Sequence, residues 1–259
     1  MNAAPALVAG VDVVQTGSGP HLLMLHSLLA DRGAFDAVLP ALAARFTVTL
    51  PNLPGYGRTR PAGPAIEDNA DQIADMMVAL ALPADTSVLG NGFGGFVAGA
   101  LAIRHGTRFG RLLLVDTGPG FPPPGKAALR ALADRAEGAG MAAVLDAAIA
   151  RMFPSGWIAA NPAPVAARKA CLAGADRTLF ATAARAIAAV ELADALPSLC
   201  NPTLVMVGKD DQTTPPALSH ALTRLIPGAT LVEIDDCGHC PQVQAPDAFV
   251  SHVTRFAST

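Results

Sequence analysis

The sequence predicts an α/β fold: a mostly parallel sheet flanked by helices, with a helical cap inserted late in the chain. Three observations carry that expectation. Short apolar runs suited to buried parallel strands alternate with longer stretches of helical periodicity. A glycine-rich turn, VLGNGFGGFVAGALAIRHG at 88–106, joins one such run to one such helix. The alternation then stops over residues 119–197, which open on the proline cluster GPGFPPPG and continue as alanine-rich helical sequence with no strand pattern.

Taken in order, an initial strand pair is expected within ALVAGVDVVQTG, turning near Gly10. Strands follow at 21–26 (HLLMLH), 46–50 (FTVTL), 86–90 (TSVLG), 111–116 (RLLLVD), 202–208 (PTLVMVG) and 229–235 (ATLVEID). Helices are expected at 33–44, 67–81, 93–105, 215–226 and 245–257, each with apolar residues three and four apart. This alternation suits right-handed β-α-β crossovers. The domain division is therefore a core of 1–118 and 198–259 carrying a cap of 119–197. In the cap, Met141, Met152, Phe153, Trp157 and Phe180 are candidates to line a pocket or to pack helix on helix.

Composition narrows the function classes. A chain of 259 residues, 51% of them hydrophobic, can bury a full core. The net charge is −3 with both signs scattered, which argues against a nucleic-acid groove or a polybasic membrane patch. The first residues, MNAAPALVAGVDVVQTG, lack a basic run ahead of an apolar core. No apolar stretch reaches the roughly 20 residues that span a bilayer. The expectation is a cytoplasmic protein without nucleic-acid or membrane partners. Four cysteines do not make a disulfide framework, and Cys171 and Cys200 read as small apolar fillers. Cys237 and Cys240 form C-x-x-C without a second ligand pair at zinc spacing, so no metal and no cofactor are expected.

The glycine turn admits two readings. Gly90, Gly92 and Gly95 match G-x-G-x-x-G, with Asp116 after the next strand as the ribose ligand of a dinucleotide site. Alternatively, Gly90 and Gly94 are the outer glycines of G-x-S-x-G, a nucleophile elbow whose serine has become Gly92. Position favours the elbow, because the dinucleotide fingerprint belongs to a first β-α-β unit and here two strands and two helices precede it.

The order of the remaining turns decides further. LHSLLADRGAF, LPNLPGYGRTRP, the glycine turn, VGKDDQTTP and DCGHCPQ each follow a strand. In that order the chain resembles the α/β-hydrolase family through nearly all of 21–257, and its cap weakly resembles that of the enol-lactone hydrolases. The resemblance implies Asp211 as the acid, with Asp210 and Asp116 as fallbacks, and His239 as the histidine. It also implies an oxyanion hole formed by the backbone N–H groups of Leu28 and Phe93. Family members usually carry His-Gly where this chain has His26-Ser27. His26, Ser27 and Trp157 are candidates for substrate contact, and Ser27 also for a relocated nucleophile. Asn52 and Arg58 belong to a turn read as structural, and one of Arg135, Arg151, Arg168, Arg177 and Arg185 is available to a substrate carboxylate.

Glycine at 92 removes the usual nucleophile. The glycine is either an engineered replacement of serine, one codon away, or native, with the Asp211/His239 dyad activating a water. The expected activity is hydrolysis of a small ester or lactone. The alternatives on the same scaffold are a cofactor-free lyase, isomerase or oxygenase, and a non-catalytic binding protein.

Overall fold

The computed structural model describes residues 5–258. Eight strands form one sheet: β1 (Ala6–Val8), β2 (Val11–Gly17), β3 (His21–Leu25), β4 (Thr47–Pro51), β5 (Ser87–Asn91), β6 (Arg111–Val115), β7 (Thr203–Gly208) and β8 (Thr230–Ile234). Their order is β1-β2-β4-β3-β5-β6-β7-β8. The β1/β2 and β2/β4 pairs are antiparallel, and every pair from β4/β3 to β7/β8 is parallel. The first hairpin turns through Ala9 and Gly10, both at positive φ, as the sequence predicts near Gly10.

The helices around the sheet are α1 (Leu39–Ala43), α2 (Ile66–Ala79), α3 (Phe93–His105), α9 (Pro216–Leu225), α10 (Pro241–Gln244) and α11 (Pro246–Ala257). Between β6 and β7 lie α4 (Pro123–Ala139), α5 (Leu145–Met152), α6 (Ser155–Ala160), α7 (Pro162–Ala173) and α8 (Arg177–Ala189). Helix α3 is buried from Phe93 to Ala102, on every face, which is why its sequence is apolar without a polar stripe. Four of the five helices expected from periodicity match within a few residues, and one does not. The helix expected at 33–44 is split into a 3₁₀ turn, Arg32–Phe35, and the short α1. Pro40 has no N–H to donate and so is confined to a first helical turn, which makes the helix start at Leu39. Asp31 caps the 3₁₀ turn by accepting from the N–H of Gly33.

The sheet order positions everything that follows. From β3 the chain moves outward to β4, then returns across β3 to β5, so the direction of winding reverses between β3 and β5. At such a switch point the loops leaving the carboxyl ends of the two strands diverge and leave a crevice. Residues 26–31 leave one side of it and residues 92–95 the other. No described helix is long and apolar enough to cross a membrane.

Candidate active site

Each turn at that crevice takes its shape from its own residues. After β5 the backbone doubles back into α3 at Gly92, with φ 55° and ψ −115°. A side chain at this position would be strained by about 1–3 kcal/mol. The neighbours are glycine because of close approach. A Cβ on Gly90 would overlap the carbonyl of Gly94, and one on Gly94 would overlap the carbonyl of Leu25, at the end of β3. The N–H of Gly94 donates to the carbonyl of His26 at 3.0 Å, tying the two turns together.

After β3 the chain is fixed by side chains instead. His26 is fully buried; its Nε2 accepts from the N–H of Leu53 at 2.8 Å, and its Nδ1 lies 2.9 Å from the carbonyl of Ser27. Burial holds this ring neutral, its pKa lowered to about 4. The hydroxyl of Tyr56 donates to the carbonyl of Leu28 at 2.7 Å, and Tyr56 meets the His26 ring edge-on. The turn of LPNLPGYGRTRP thus braces this loop, with the Oδ1 of Asn52 accepting from the N–H of Arg32 and Arg58 pairing with Asp12 at 3.3 Å.

His239 follows β8 and Asp211 follows β7, and both are almost wholly buried. The Nδ1 of His239 is 2.8 Å from the Oδ2 of Asp211. The same carboxylate accepts from the N–H of Thr213 at 2.7 Å, the N–H of Thr214 at 3.1 Å and the hydroxyl of Thr214 at 2.6 Å. Burial opposes its charge, but the adjacent His239 ring and the Thr214 donors hold its carboxyl below the usual carboxylate range. An ionised carboxylate only accepts, so Nδ1 carries the proton and the lone pair of Nε2 faces the cavity. There it meets the hydroxyl of Ser27 at 3.3 Å. The backbone of His239 is anchored by its N–H, which donates to the carbonyl of Met152 at the end of α5.

Behind the pair stands a second buried acid. Burial, and then the charge of Asp211, push the Asp116 carboxyl well above the usual carboxylate range. It accepts from the N–H of Gly208 at 2.9 Å and from the side chain of Asn91 at 3.2 Å. Asn91 also donates to the carbonyl of His239 and accepts from the side chain of Gln242. Ligand atoms of Asp116, Asp211 and His239 lie within 4.8 Å of one another, but two of these groups are already committed to the acid–histidine bond. Cys237 and Cys240 are buried free thiols, and burial pushes both up.

Ser27, Leu28, Gly92, Phe93, Thr214 and His239 line one cavity of about 40 Å³, room for roughly three waters. Among the described residues, neither the N–H of Leu28 nor that of Phe93 donates to a protein acceptor. The helical segment supplies the apolar remainder of the wall through Phe121, Leu129, Leu132, Ala148 and Ile187, together with Arg151. The carbonyl of Arg151 accepts from the hydroxyl of Thr213, two residues after Asp211.

The structure brings Ser27, Leu28, Gly92, Phe93 and His239 together around this space, with Asp211 directly behind. It does not bring His26 or Trp157 there. Both ring nitrogens of His26 are engaged by backbone, and Trp157 stacks on Phe153 at 4.3 Å along a different groove, beside Arg168 and Cys171. Neither contacts the cavity. Phe180, Met141 and Met152 are buried among the helices. Cys200 is exposed in the loop before β7 and is not an apolar filler. Sequence reasoning passed over Asn91, Thr214 and Gln242, although Asn91 lies within the glycine motif and Thr214 within VGKDDQTTP.

Comparison with known proteins gives the family: residues 22–252 match the alpha/beta hydrolase family, to which the chain belongs. It is 30% identical to a pimeloyl-[acyl-carrier protein] methyl ester esterase of Aeromonas hydrophila, over 95% of this chain and 98% of that one. Among solved structures it is similar to the enol-lactonase of Burkholderia xenovorans LB400, with a TM-score of 0.91 and 28% identity over 99% and 100% of the two chains. It is similar also to a thermophilic esterase of Thermogutta terrifontis, with a TM-score of 0.90 and 27% identity over 99% and 98%. The protein is thus an enzyme of the hydrolase kind, with relatives that act on esters.

Proposed function

We propose that the protein hydrolyses a small ester or lactone, using His239 as base and then acid, Asp211 to hold its Nδ1–H, and the N–H groups of Leu28 and Phe93 for the oxyanion. The observation that carries this reading is the hydrogen-bonded line from Asp211 through His239 to a hydroxyl in the cavity, at 2.8 and 3.3 Å, beside two amides without protein acceptors. An imidazole with one nitrogen held by a carboxylate and the other facing a hydroxyl is equipped to move a proton twice: off the attacking oxygen and onto the leaving one. Two free amides, that of Phe93 at the start of α3 and that of Leu28 in the turn after β3, suit charge that develops on a carbonyl oxygen. A water mechanism and a side-chain nucleophile both use this machinery, and residue 92 supplies neither.

The small apolar cavity supports a short acyl group as substrate. Of the five arginines between β6 and β7 singled out from sequence, Arg151 alone lines the cavity, which supports recognition of a carboxylate-bearing ester. In this reading residues 119–197 act as a cap over the core, the protein works in the cytoplasm, and no cofactor takes part.

The test is a panel of p-nitrophenyl esters from acetate to octanoate and of small lactones, assayed with the native chain and with His239→Ala. Turnover should fall by about a thousand-fold or more in the variant. Equal rates in the two proteins, or no turnover of any member by the native chain, would overturn the reading.

A further inference from the structure

Residue 27 is the place to look for the missing nucleophile. A Cβ built on Gly92 would lie 2.5 Å from the Oγ of Ser27 and 2.8 Å from the Nε2 of His239. The Ser27 hydroxyl therefore fills the space that a side chain at 92 would need, on the same side of the same imidazole. Serine and glycine have in effect exchanged places between two turns on either side of the switch point.

Two further observations separate this hydroxyl from that of an ordinary turn serine. Serines in turns usually hydrogen-bond to backbone a few residues away. Here the hydroxyl crosses 212 residues of sequence to His239, and among the described residues the ring is its one hydrogen-bond partner. Ser27 is also held in place independently of that bond, since its carbonyl accepts from the N–H of Ala30 and lies against the His26 ring. The next amide, that of Leu28, makes no protein hydrogen bond and opens on the same cavity. Leu28 therefore stands to Ser27 as Phe93 stands to residue 92.

We propose that Ser27 is the nucleophile of this enzyme. The assignment rests on the hydrolase reading and names the attacking group within it. The Oγ of Ser27 bonds to the acyl carbon as its proton passes to the Nε2 of His239, and the carbonyl electrons move onto an oxygen held by the amides of Leu28 and Phe93. The tetrahedral centre collapses with loss of the alkoxide, which takes the proton back from His239; from a lactone, that alkoxide stays tethered to the acyl group. Water then attacks the acyl-serine, giving its proton to His239. The acid departs as the bond to Oγ breaks, and Oγ recovers the proton. Water is the second reactant, and no oxidant or metal is needed. The 3.3 Å separation is long for a hydrogen bond of this kind, as is common before substrate closes the site.

The experiment is covalent capture. The native chain is treated with diisopropyl fluorophosphate, digested and mapped by mass spectrometry, alongside Ser27→Ala, Gly92→Ser and the exchange variant Ser27→Gly/Gly92→Ser. Thermal melting of each confirms that it is folded. The adduct is expected on Ser27 in the native chain and nowhere in Ser27→Ala, whose kcat/KM on activated esters should drop by about a thousand-fold or more. In the exchange variant the adduct should move to residue 92 and turnover should return. A native chain without adduct at Ser27, or folded Ser27→Ala within ten-fold of native turnover, overturns the assignment. If that turnover still depends on His239, the hydrolase reading stands with water as the nucleophile. Label on Ser27 supports the assignment whether or not the chosen esters are turned over.

Discussion

The turns that leave β3 and β5 stand side by side at the carboxyl edge of the sheet and keep their shapes by opposite means. The β5 turn is shaped by what is missing: Gly90 and Gly94 lack the Cβ atoms that would strike neighbouring carbonyls, and Gly92 takes a backbone angle costly for other residues. The β3 turn is shaped by what is present, a buried histidine bonded at both nitrogens and a tyrosine hydroxyl on the carbonyl of Leu28. The comparison teaches that a turn braced by side chains can set a hydroxyl beside the imidazole without positive φ. A turn made by close packing has little room to change.

The largest effect should come from the acid behind the imidazole that both turns face. Asp211→Asn keeps the shape but removes the charge that stabilises a protonated His239, and kcat on esters should fall about ten-thousand-fold with little change in KM, read by steady-state kinetics. Next, the packed turn should resist a methyl group. Gly94→Ala should lose roughly 3 kcal/mol in urea unfolding, because the new atom meets the backbone of β3 and not a movable side chain. A loss below 1 kcal/mol would mean that the turn is looser than its contacts imply.

The braced turn should instead betray itself through pH. His26 is neutral in the folded chain down to a pKa of about 4, against 6.5 when unfolded, so the unfolded state binds the extra proton between those values. Stability is therefore expected to fall as pH drops through this window, by about 3 kcal/mol from this group, and His26→Asn should flatten the slope while lowering stability at neutral pH. Asp211, held below the usual carboxylate range, adds its own loss only at lower pH. Chemical denaturation at pH 7, 5.5 and 4.5 checks this.

Smaller is the coupling between the two turns. Gly92→Ser alone should destabilise by about 1–3 kcal/mol, from backbone angle and contact with Ser27 together. Adding Ser27→Gly should recover part of that loss in a double-mutant cycle, and strict additivity would show that the two side chains do not compete for one space. Least, Arg151→Leu should raise KM about ten-fold for esters carrying a carboxylate and leave neutral esters unchanged, from the loss of one charge-assisted contact.

Much of this was legible because it is local. The strand runs mark the sheet to within a residue or two, and Gly90 and Gly94 announce a tight strand-to-helix turn by spacing alone. Asp211 and His239 stand out because the turns that hold them resemble, in order and spacing, those of the α/β-hydrolase family. What stayed hidden depends on crossings between turns. Nothing near Trp157 says that it faces another groove, whereas Leu129 and Ile187, unremarkable in sequence, line the cavity. His26 looks like a binding residue until Leu53 and Ser27 are found occupying its ring. Asp116, a candidate ribose ligand or fallback acid by position, is seen as a buried support of the site only once its bonds to Gly208 and Asn91 are in view.

The sequence by itself determined the layered fold, the order of the turns and the absence of a hydroxyl at 92, because strand patterning and turn spacing are properties of neighbouring residues. Only the tertiary structure decided that the Ser27 hydroxyl meets the imidazole of His239. That contact is set by the winding reversal between β3 and β5 and by the reach of the loop after β8 across the sheet edge, and no spacing along the chain encodes it.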